Sequence, residues 1–146
     1  KKFKFKLKIM FFKKSKDKSD NDDLTKVAAL LIYAAKIDEN YSQKEQEIIK
    51  KTLMEIGANN ENLEKIINNA QKIEENSNQI LDFTKQIKVM SDKNKIKIVE
   101  TLWRIVYSNE VADIYETSLM RRLAGLLYID SKTMGDIKKR IKKEIS

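Results

Sequence analysis

Histidine, cysteine and proline are all absent from this chain of 146 residues, and glycine occurs only three times. Without cysteine there are no disulfides, thiolate metal sites or cysteine nucleophiles. Without histidine the commonest general base and transition-metal ligand are missing, so zinc chemistry is nearly excluded. Three glycines leave no phosphate-cradling loop, and no nucleophile–base pair of a known type is legible. No enzyme activity is expected on these grounds. Long apolar runs are also missing: no segment is long enough to span a bilayer. Lysines interrupt every apolar run near the N-terminus, so this stretch is not expected to be a secretory signal.

What is present is charge and helical periodicity. Charged residues make up 36% and apolar residues 41% of the chain, the balance expected of one domain whose helices each carry one apolar stripe and a solvated face. The net charge of +8 is unevenly placed: residues 1–18 hold nine lysines and one aspartate, so residues 19–146 hold 21 basic and 21 acidic groups. The basic character therefore reads as belonging to a tail and not to a face of the domain, which argues against nucleic acid as a partner. The expected division is a basic arm over residues 1–19 and a helical domain over 20–146. In the arm, Lys4, Lys6, Lys8, Phe11, Phe12, Lys13 and Lys14 form a candidate contact with an anionic membrane surface. Met10 is a further candidate start, in which case residues 1–9, with five of the lysines, lie ahead of it.

From Asp20 onward the pattern is helical throughout, with a capping residue before each helix. Seven helices are predicted in an all-α bundle. The first spans Asp22 to Ile37, with Leu24, Val27, Ala28, Leu31, Ala34 and Ala35 on one buried face. The second runs from Gln43 to Ile56 and is stopped by Gly57. Asn60, Ser77, Ser91 and Asp113 are the expected caps of the next four, and Asp130 or Ser131 that of the last. The run "KIKIVETLWRIVYS" is expected to be the central helix, with Ile96, Val99, Leu102, Trp103 and Val106 inward. Trp103 reads as core, and Arg104, Arg121 and Arg122 as members of ordinary surface pairs.

A helix–turn–helix join occurs twice, at "IYAAKIDENYSQKEQEII" and "WRIVYSNEVADIYETSLM". Asp38 and Glu45 lie seven apart across the first turn, and Asn109 and Glu116 lie seven apart across the second. Ser42 with Glu45, and Asp113 with Glu116, fit the capping box, in which a side chain at the helix start and a carboxylate three residues on satisfy exposed backbone N–H groups. An EF-hand is rejected on spacing, because Gln43 stands at the turn-glycine position and Ile49 at that of the bidentate glutamate.

This doubled arrangement resembles the TerB tellurite-resistance family and the related N-terminal domain of the DjlA co-chaperones, over about residues 22–143. The resemblance implies a seven-helix bundle and acidic residues at the turns that hold a divalent cation or a partner. Asp38, Glu45 and Glu116 are the carried-over positions. Glu39 and Glu110 stand where the family usually has glycine, and Asn109 replaces the second aspartate. Hard oxygen ligands at such a site suit calcium or magnesium. The expectation is a non-enzymatic helical module of the stress-response type that acts through a protein partner in the cytoplasm. The alternative is an adaptor docked peripherally on the inner membrane surface through its arm.

Overall fold

The computed structural model describes residues 21–37, 41–77, 79–108 and 114–145. Among them are seven helices and no strand: α1 (21–36), α2 (Gln43–Glu55), α3 (Leu63–Asn76), α4 (Leu81–Ile87), α5 (Asp92–Ser108), α6 (Ile114–Leu126) and α7 (Ser131–Ile145). The chain is an all-α bundle, as the periodicity requires. The arm, residues 1–19, lies outside the described residues.

Local chemistry sets the ends of these helices. Ser42 Oγ accepts the Glu45 N–H at 3.2 Å while Glu45 Oε1 accepts the Ser42 N–H at 2.9 Å, closing the expected capping box at the head of α2. Gly57, at φ +132°, ends that helix, and the Ala58 N–H returns to the Leu53 carbonyl at 2.9 Å. Ser91 Oγ accepts the Asn94 N–H at 3.2 Å, and Asp130 Oδ1, not Ser131, accepts the Thr133 N–H at 2.7 Å ahead of α7. The end of α6 uses the same return bond as α2, from the Ile129 N–H to the Ala124 carbonyl at 2.9 Å. There the left-handed position is filled by Tyr128 at φ 58°, with Lys88 Nζ 5.6 Å from its ring centroid.

Two expected caps are displaced. Asn59, not Asn60, ties the turn ahead of α3: its Oδ1 accepts the N–H groups of Glu61 and Asn62, and its own N–H donates to Asn62 Oδ1. Ser77 does not cap α4, which begins at Leu81 without a side-chain cap; its hydroxyl donates to the Gln79 carbonyl and pairs with the Asp82 carboxylate.

The central helix also differs from expectation. Val27 to Ile32 are six consecutive residues at 0% exposure, which a helix with one buried stripe cannot achieve, so α1 is covered on all sides. Contacts of the flanking residues place α3, α4 and the end of α2 around this helix. Lys36 pairs with Glu74 of α3 at 2.9 Å, the Tyr33 ring meets Phe83 of α4 at 6.3 Å, and Leu24 lies beside Gly57 at the end of α2. The α5 helix is the second spine. It packs on α2 and on α7 and buries Ile98, Val99, Leu102, Trp103, Ile105 and Val106.

Between α2 and α5 the hydroxyls of Thr52 and Thr101 meet at 2.6 Å, and each lies within reach of the carbonyl one turn earlier, Ile48 and Lys97. This satisfies two buried polar groups without a charge. On the outside, Arg104 grips Glu144 with two hydrogen bonds at 2.8 and 3.1 Å, tying α5 to α7, while Glu100 lies 3.7 Å from Arg104 and 3.5 Å from Arg140. The hydrogen bond from Arg104 holds the Glu144 carboxyl below its ordinary pKa. Arg104 thus forms the surface pair expected of it.

Candidate functional site

Of the acidic residues singled out at the two joins, the structure describes Glu45 fully. Its carboxylate is 1% exposed, set against the head of α2, where Oε1 takes hydrogen bonds from both the backbone N–H and the hydroxyl of Ser42, at 2.9 and 3.0 Å. The neighbouring Tyr41 phenol is pushed above its usual pKa, first by burial and then by the Glu45 carboxylate. Asp38, Glu39, Asn109, Glu110 and the second cap Asp113 lie outside the described residues. Glu116 falls in the first turn of α6, but its side chain is likewise outside them. The candidate arm residues Lys4, Lys6, Lys8, Phe11, Phe12, Lys13 and Lys14 are outside as well. Among the described residues no cluster of three or more acidic side chains forms a metal-binding group.

Three features went unread in the sequence. Lys95 is buried, and its ammonium donates to the Leu127 carbonyl at 3.1 Å, capping the C-terminal end of α6 where a cation is favoured. Its position three and four residues before Ile98 and Val99, on the apolar stripe, was the available signal. The second feature is a cleft between α1, α3 and α4 whose lining includes Lys26, Lys72, Lys85 and Asp82.

The third is a groove of about 600 Å³ between α6 and α7, lined by Trp103, Met120, Ala124, Met134, Gly125 and Gly135, with Arg121 and Lys138 among its polar residues. Trp103 is 2% exposed and so belongs to the core as expected. Its indole N–H donates to Met134 Sδ at 3.3 Å, its ring stacks on Tyr107, and Lys138 Nζ lies 5.3 Å from its centroid. The charge beside this groove is uneven by count, although residues 19–146 sum to neutral. Residues 114–146 hold eight Lys/Arg against four Asp/Glu, so residues 19–113 hold thirteen against seventeen. A neutral sum conceals a cationic C-terminal pair of helices.

The family model described as tellurite resistance protein TerB matches residues 24–139, more than half of the chain. The chain belongs to the TerB family. The TerB match starts in α1 and ends in α7, so it takes in both joins and leaves out the lysine-rich arm. No curated protein and no solved structure matched the chain. No described helix of this TerB-family chain is long and apolar enough to cross a membrane.

Proposed function

We propose that this TerB-family chain is a non-enzymatic binding module of the tellurite-resistance and stress-response type. It acts in the cytoplasm through a protein partner and holds calcium or magnesium weakly at its paired acidic turns. The observation that carries the reading is the family match over residues 24–139, which includes both turns. The weakness of the cation site follows from Glu45. Its Oε1 already accepts two hydrogen bonds from Ser42, so a metal has to compete with the cap for the same carboxylate. Asn109 adds to the weakness, because it supplies no negative charge where the family has aspartate.

Thermal unfolding with and without millimolar calcium or magnesium tests the cation, on the native chain and on Asp38→Asn, because a ligand that binds only the folded state raises the midpoint. The expected result is a small rise in the native chain that disappears in the variant. Equal midpoints in every condition remove the cation from the proposal. For the partner, proteins crosslinked to the full chain in cells are compared with those crosslinked to Asp38→Asn/Glu110→Gln. A partner lost in the variant is expected, and an unchanged set moves recognition away from the turns.

A further inference from the structure

We propose that the groove between α6 and α7 is a binding site for a small amphipathic anion, a carboxylate or sulfonate on a flat apolar body. This goes beyond the partner-binding reading and does not depend on it. The first ground is the pair of glycines. Gly135 sits inside α7, where glycine disfavours the helix relative to alanine, and Gly125 is the penultimate residue of α6. Nothing inside the chain calls for them: a Cβ built on either meets no atom within 4 Å, and neither has the positive φ that justifies Gly57. Both omit a side chain from the same groove.

The second ground is the surface that this omission opens. Ala124, Gly125, Ile129 and Gly135 supply its accessible apolar surface, over a floor formed by the buried side chains of Trp103, Met120 and Met134. The two helices lean on α5 more than on each other, which leaves the space between them open. Its volume of about 600 Å³ lies within the range of small-molecule sites.

The third ground is charge. Arg121 lines the groove from α6 and Lys138 from α7, and among the described residues neither has a carboxylate partner. The carboxylate in the lining, Asp130, is held by the Thr133 N–H at the start of α7, which keeps its pKa below the ordinary value. Arg121, and Lys138 with its Nζ 5.3 Å from the Trp103 centroid, stand beside this apolar lining and suit a ligand with one acidic end and one apolar body, and the excess of Lys/Arg over residues 114–146 favours its approach.

Anilinonaphthalene sulfonate is a probe of this chemistry, and phenyl-naphthylamine supplies the same kind of body without the charge. The native full chain is expected to bind one sulfonate probe, read by fluorescence titration. The neutral probe should bind about fivefold more weakly, the scale of an exposed ion pair. Arg121→Gln/Lys138→Gln should bring the two probes to similar affinity. Gly135→Leu, which fills the groove and favours the helix, should weaken the sulfonate probe by about tenfold or more with no fall in unfolding temperature. Gly125→Leu is the independent second variant, used in its place if Gly135→Leu loses its helical circular dichroism. The proposal is overturned by undiminished binding in a folded leucine variant, by equal affinity for both probes in the native chain, or by several equivalent probes per chain. Displacement of the probe by an acidic tryptophan-containing peptide but not by naphthalene sulfonate would also overturn it, by assigning the groove to a protein segment.

Discussion

At the scale of single residues, the acidic join is best probed through Tyr41. Burial and the Glu45 carboxylate both favour its neutral phenol in the fold, so its pKa stands above 10.0, the ordinary value. A group whose folded pKa is raised contributes stability that is fully present below the unfolded value and lost as pH rises through the folded one. The chain should therefore lose stability above about pH 10 in part through Tyr41, and Tyr41→Phe should flatten that part of the curve. Glu45→Gln keeps a side chain suited to the capping box but removes the charge. It should lower the Tyr41 midpoint, followed by the difference in ultraviolet titration between each chain and its Tyr41→Phe counterpart, without returning it to the ordinary value, because burial is the larger cause. A midpoint unmoved by Glu45→Gln would mean that this carboxylate does not act on its neighbour, and that the cap alone explains its place.

At the scale of elements, the sequence made some features legible and hid others for physical reasons. Caps that act through neighbouring residues were readable: Ser42 with Glu45, Ser91, and Asp130 each bond within three residues of themselves. The turn ahead of α3 was misread by one residue because Asn59, Asn60 and Asn62 have the same chemistry, and only the backbone path decides between them. The role of α1 was misjudged for a different reason. A search for period 3.6 picks out one stripe even in a run such as Val27 to Ala35, which has no charge on any side and is the mark of a helix covered all round. The two readings differ measurably at Leu30, which lies off the predicted stripe but is fully buried. Leu30→Ala should lower stability by about 2–5 kcal/mol, like a core deletion, and by about as much as Leu31→Ala. Denaturant unfolding checks this, and a change within about 0.5 kcal/mol, the range of surface substitutions, would restore the one-sided helix.

For the whole molecule, the question is whether the cationic α6–α7 pair and the more acidic remainder fold as one body. Their charges differ in sign, they are joined through residues 109–113, and the groove shows that α6 and α7 do not fill the space between them. Packing argues for a single unit. Buried apolar residues from α1 through α7 form one contiguous cluster, so no apolar boundary separates the halves. The α5 helix enters the core with α2 on one side and α7 on the other, Lys95 caps the end of α6, and Arg104 holds Glu144. Splitting the halves would expose Trp103, Met134, Ile137 and Ile141 together, whereas the charge difference between the halves draws them toward each other. Trp103 is the single tryptophan and stands at the α5–α7 contact, so its fluorescence reports that junction, while far-ultraviolet circular dichroism reports all the helices. In urea the two signals should change together, as a two-state transition requires. The midpoint of Ile141→Ala should fall equally by both probes, because a loss on α7 is then a loss to the whole fold. If the Trp103 signal moved at lower urea than the circular dichroism, and Ile141→Ala widened the gap, the α6–α7 pair would be an independently opening unit, and the capping contact from Lys95 would not be enough to bind it to the rest.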